Sequence, residues 1–242
     1  MQGLVLHAGA KKVTREMVEA VQVPTPTRSW RPVPYSHAIE YLHTTIEREL
    51  KLPVVGEAYG LNKAGDQMFG VITLDTGNAE HGLSIGLRQS YNKSLSLGLA
   101  VGAQVFVCDN LAFSGSAFKV LRKNTLNVWR DFKALVKAQV DVALGHYDSI
   151  QVDIGKLKSI PCNVRRGYSF LGVMMGEGLL TPTQATVAFD DWTKPRHEAF
   201  AERNLWGLYN AVTEGLKKGA PAKLLDRHAK AHDFFTSIKG LN

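Results

Sequence analysis

Cysteine is almost absent: Cys108 and Cys162 are the only two in 242 residues. Two thiols build no disulfide framework and match no zinc spacing, so reduced, core-filling cysteines of a cytoplasmic protein are expected. Long hydrophobic runs are lacking too. The longest uncharged stretch lies between Lys93 and Asp109, short of a bilayer span and interrupted by Ser94, Ser96, Gly98, Gly102 and Gln104, so no membrane helix is expected. The opening MQGLVLHAGAKKVTREM has no positive region ahead of its few apolar residues and does not read as a secretory signal. Phosphate-binding motifs are missing as well. No Gly precedes a Gly-Lys-Ser/Thr triplet at P-loop spacing and no strand-linked dinucleotide fingerprint is present, so no nucleotide cofactor is expected.

What the chain does have is apolar material, 45% of residues, against 21% charged, enough to close a substantial core in a single domain. It also has an excess of cations: 29 Lys and Arg against 22 Asp and Glu give a formal charge of +7. Clustered cations gain free energy by releasing counterions from a phosphate backbone, which favours a polyanionic partner.

Four prolines fall between Val23 and Pro34, where they remove donors and extend their predecessors, so this segment is a connector. Ser36 is a candidate N-cap for a helix to about Leu50, with Ile39, Leu42, Ile46 and Leu50 on one stripe. A strand from Val54 to Gly60, a turn through Lys63-Ala64-Gly65-Asp66 and a return through Met68 to Asp75 follow. Leu83–Leu87 and Leu95–Leu99 alternate Leu or Ile with Ser or Gly on either side of a break at Tyr91–Ser94, and a denser apolar run continues to Cys108. Together they predict a long antiparallel hairpin from Leu83 to Phe113.

Beyond Asp109 the period becomes helical, with one amphipathic helix from roughly Asn124 to Leu144. Thr181-Pro182-Thr183-Gln184 combines an N-cap, a first-turn proline and a capping-box Gln for a helix through Trp192. Further helices cover Leu205–Leu216 and a segment from Pro221 that carries Phe234 and Phe235. The expected class is α+β: an antiparallel meander with a long central hairpin packed by helices in residues 1–145, then an all-helical part in 146–242.

Few residues suggest catalysis. His228 and His232 are four apart on a helix, but without a metalloprotease Glu they read as a polar face, and no metal is expected. His37 and His43, six apart, project differently around their helix. Cys108-Asp109-Asn110 could place a nucleophile at a strand end, yet no histidine is tied to it, and a buried thiol followed by strand-stopping residues accounts for it. Asp190 and Asp191 diverge by about a hundred degrees on a helix and read as a solvated face.

One pattern recurs: cations interleaved with aromatics. Arg28, Trp30 and Arg31 lie in the connector; Arg88, Tyr91 and Lys93 at the hairpin turn; Arg122, Lys123, Trp129, Arg130 and Lys133 at the entry to the long helix. Single-stranded nucleic acid is held by this combination, cations for phosphates and π-faces for bases. For each cluster alone, a solvated surface with its aromatics turned inward is the simpler reading.

The strings Thr25–Pro32, Gly86–Ser90, Lys93–Gly102, Val105–Phe113 and Leu205–Glu214 resemble the phage/plasmid-like family called domain of unknown function 932. The resemblance implies a home on a phage, prophage or plasmid and carries no activity with it. The order helix, meander, long helix is similar to the core of phage single-strand annealing recombinases, where sheet and helix form a basic groove for single-stranded DNA, usually in an oligomeric ring. The expected function is therefore non-enzymatic binding or annealing of single-stranded DNA, with homo-oligomerisation as one arrangement the likeness allows. The alternative is a protein–protein interaction factor that modulates a host defence or replication protein.

Overall fold

The computed structural model describes residues 10–106, 111–120, 124–218 and 224–238. Its centre is an antiparallel sheet whose strands stand in sequence order: β1 (Ala10–Val13), β2 (Val54–Asn62), β3 (Gln67–Leu74), β4 (His81–Ser90), β5 (Gly98–Val105) and β6 (Leu111–Val120). Between β1 and β2 lie α1 (Arg15–Glu19) and α2 (Tyr35–Glu49). After β6 come α3 (Val128–Asp141), α4 (Ala143–Ser159), α5 (Val164–Gly176), α6 (Pro182–Thr193), a short 3-10 turn at Glu198–Phe200, α7 (Leu205–Leu216) and α8 (Leu224–Thr236). The class is α+β with a helical C-terminal part, as the patterning predicts.

Strand register explains the alternation. Pairing Leu74 with Leu83, Ile72 with Ile85 and Gly70 with Leu87, then Leu83 with Ala103, Ile85 with Val101 and Leu87 with Leu99, gathers the large apolar side chains on one face. These join Ile39, Leu42 and Ile46 of α2, Phe132, Val136 and Val140 of α3, and Ile150 and Ile154 of α4 in one hydrophobic core. Each such side chain contributes about 1.5–3 kcal/mol on leaving water. The opposite face carries Ser84, Gly86, Gly98, Ala100 and Gly102, and it is buried too, since every residue of β4 is buried. The alternation therefore records side-chain size rather than contact with water. At the β2–β3 reversal Gly65 takes φ +74°, the left-handed conformation expected of the glycine in that turn.

Three expectations are corrected. The long central hairpin is formed by β4 and β5, but β5 begins at Gly98 rather than Leu95, and Leu111–Phe113, expected as the end of that hairpin, open a further strand, β6, that continues to Val120. The helix expected over Asn124–Leu144 is two helices, because Val142, at φ −104° and ψ 1°, ends α3 and starts α4. Val142 and Leu144 are correspondingly exposed. Ser36 does not cap α2; Pro34 does, without a side-chain bond, and the N–H of Tyr35 donates instead to the phenol oxygen of Tyr91 at 2.8 Å.

That bond ties the helix to the β4–β5 turn. The two tyrosine rings also stack, with centroids 3.9 Å apart and planes 2° from parallel. Tyr91→Phe keeps the stack and strands a buried N–H, which costs about 1–2 kcal/mol. A lowered urea midpoint with an unchanged m-value is the expected result, and an unchanged midpoint counts against this capping role.

Candidate functional site

The turns β2–β3 and β4–β5 lie side by side at one end of the sheet. The backbone N–H of Tyr91 donates to the carbonyl of Asp66 at 2.7 Å, and the Gln67 amide donates to the Ser94 hydroxyl at 2.8 Å. Between these anchors Lys93 is held at φ +64°, a conformation that costs an L-residue about 1–2 kcal/mol. Its ammonium stands 5.0 Å from the centroid of Trp30, within cation–π range.

Trp30 is presented there because the proline-rich connector is tied down along its length. A turn closes from the Thr27 N–H to the Trp30 carbonyl at 3.0 Å, the Arg31 N–H donates to the Asn124 carbonyl at 2.9 Å, and the Gln89 amide donates to the Val33 carbonyl. Arg28 and Arg31 are exposed and Trp30 is half-buried. The Arg31–Asn124 bond draws the entry to α3 alongside the connector. On α3, Trp129 stacks on Phe132 at 5.6 Å and meets the edge of Tyr41 at 5.7 Å, while the Lys133 ammonium lies 5.1 Å from the Trp129 ring. Arg130 is exposed and paired with Asp131.

The connector, the hairpin turn and the α3 entry thus adjoin at one end of the molecule through Trp30–Lys93, Arg31–Asn124 and the Tyr91–Tyr35 stack at the start of α2. Arg122 and Lys123 lie outside the described residues. Two expected site residues do not belong to this surface. Arg88 is 8% exposed and donates through Nη1 to Asp226 of α8 at 2.7 Å, because its even-numbered place in β4 sends it to the face opposite Tyr91. Tyr91 is buried, its ring covered by Tyr35 and its phenol pushed up to about 12 by burial, so it supports the turn and offers no face to a base. Lys63, exposed in the adjoining β2–β3 turn, adds a cation that carries no aromatic neighbour in sequence. Tyr41 and His37, which flank Trp129, are equally unmarked by any local basic pattern.

The remaining candidates are distributed elsewhere. His228 and His232 form no exposed polar face: they are 1% and 3% exposed, and His232 Nε2 lies 3.2 Å from Asp153 on α4, with its ring against Tyr209. Among the described residues no group of His, Cys, Asp or Glu could hold a metal ion. Asp191 is turned onto Arg196 at 2.8 Å, leaving Asp190 as the exposed member of that pair. Cys162 is fully buried and burial pushes its thiol up, which suits a core residue. Cys108-Asp109-Asn110 lies outside the described residues. Among the described residues no helix is long and apolar enough to cross a membrane.

Burial holds the His81 and His232 imidazoles below their usual range, so the folded protein keeps them neutral while the unfolded chain takes up protons first as pH falls. Their contribution is complete above the ordinary histidine value of about 6.5 and is lost as pH drops below it. The urea midpoint is expected to fall between pH 7.5 and pH 6, a midpoint that rises over this interval being the contrary result.

No family model, no curated protein and no solved structure matches the chain.

Proposed function

We propose that the protein binds single-stranded nucleic acid without catalysing a reaction, holding or annealing strands for a phage, prophage or plasmid. The observation that supports this most is a pair of cation–indole contacts, Lys93 with Trp30 and Lys133 with Trp129, whose carrying segments, the Arg28–Arg31 connector and the entry to α3, are joined by the Arg31–Asn124 bond. Exposed cations beside indole rings suit a strand whose phosphates are neutralised and whose bases stack, and they select no sequence. The resemblance of five strings to a phage/plasmid-like family is in keeping with a mobile-element setting. Fluorescence anisotropy with labelled single-stranded DNA of several sequences tests the proposal. Binding at micromolar protein with little dependence on sequence is expected; no binding of single-stranded DNA at that concentration contradicts it.

A further inference from the structure

β4 is ten residues long, about 30 Å end to end, so its beginning lies far from the basic surface at its close. A cavity of 370 Å³ opens at that beginning, walled by Phe106 after β5, Phe200 of the 3-10 turn and Trp206 of α7. His81 lines it. The residue is only 4% exposed, and neither ring nitrogen has a hydrogen-bond partner from another residue among the described residues. Buried polar side chains are nearly always bonded, so an unpartnered imidazole in a cavity wall marks a place where a ligand atom completes the set. The backbone at His81 is anchored: the Tyr147 hydroxyl donates to the His81 carbonyl at 3.0 Å and also meets Thr76 Oγ1 at 2.9 Å.

We infer that this cavity binds an uncharged heteroaromatic ring compound of nucleobase or nucleoside size, with His81 as the recognising group. Three aromatic walls suit a flat π-system. A neutral imidazole offers one donor and one acceptor, the complement of a heterocycle edge that carries both. Burial keeps the ring in that neutral form. Glu80 and Lys158, which also line the cavity, are paired with each other and leave it without net charge, so nothing there selects a phosphate. The volume is at the small end of the range of about 300–1,000 Å³ that holds organic ligands. The site is separate from the proposed strand-binding surface and stands whether or not that surface binds DNA.

The test uses the whole chain labelled with ¹⁵N in its histidine rings and titrated separately with adenosine, guanosine, cytidine and thymidine at millimolar concentration. At least one nucleoside is expected to move the His81 ring resonances, and His81→Leu to abolish that nucleoside's saturation-transfer signal. Because His81→Leu also removes an unpartnered buried polar group, its melting temperature is expected to rise by about 2–4 °C. Ala199→Trp, which adds bulk to the cavity wall at an exposed lining position, is a second variant expected to lose binding with the fold intact. A single-stranded tetranucleotide that displaces the nucleoside identifies a base of a strand as the natural occupant; failure to displace it identifies a free nucleoside. The inference is overturned if no nucleoside moves the His81 ring signals, or if both variants bind as the wild type does.

Discussion

Arg28→Ala, Arg31→Ala and Lys93→Gly together are expected to weaken binding of single-stranded DNA about 100-fold near 0.1 M salt. Each phosphate contact on a single strand contributes a slope of about −0.7 in log K against log salt, roughly 0.7 of a decade per contact at that concentration relative to 1 M. Three contacts give about two decades, and the salt slope should become shallower by about 2. Glycine is the right replacement at position 93 because the left-handed backbone there is strained for lysine and relaxed for glycine. The fold is expected to survive, since Arg31 meets Asn124 through its backbone and Arg28 is exposed. Adding Trp30→Ala removes a stacking platform worth about 1–3 kcal/mol per base without altering the salt slope further. Equal binding by wild type and triple variant places the strand elsewhere.

Gly215→Ala is expected to cost about 3 kcal/mol and to lower the melting temperature by about 6–12 °C. A Cβ at position 215 on α7 would lie 2.4 Å from the backbone carbonyl oxygen of Gln184 on α6, and backbone cannot rotate away as a side chain can. Gln184 is itself fixed, because it closes the capping box with Thr181 and its side chain accepts from Arg227 of α8 at 2.5 Å. Separating α6 from α7 therefore strains α8 as well. Gly155→Ala supplies the opposite sign from the same chemical change: among the described residues nothing lies within 4 Å of its Cβ position on α4, and alanine is favoured there by about 0.5–1 kcal/mol. If Gly215→Ala melts like the wild type, α6 and α7 do not approach as closely as described.

The two substitutions differ in a way that no local pattern reveals, and the same holds for most places where the fold departs from the pattern. Val128, Phe132, Val136, Val140, Ala143, Tyr147, Ile150, Ile154 and Leu157 are all buried at helical spacing, so the period runs unbroken through the joint at Val142. A change of helix direction that preserves phase leaves no trace in the pattern. Thr181 and Gln184, by contrast, start α6 where expected, because a capping box is a local bonding arrangement encoded by its own residues.

The candidate site was legible as three clusters and illegible as a surface. That Trp30 meets Lys93 depends on a connector held by bonds to Gln89 and Asn124, both distant in sequence. Arg88 and Tyr91 share a cluster in sequence, yet strand parity puts one against α8 and the other against α2. His81 carried no motif at all. Its interest comes from being buried without a partner, a property of the packed molecule alone.

The salt dependence of binding by the wild-type chain tests the central proposal most directly. Anisotropy titrations of a labelled single strand across a salt series should give a log–log slope of about −2 to −3.5, as expected for three to five phosphate contacts. A slope near zero, or no binding of single strands at micromolar protein in low salt, contradicts the proposal that this surface is a strand-binding site.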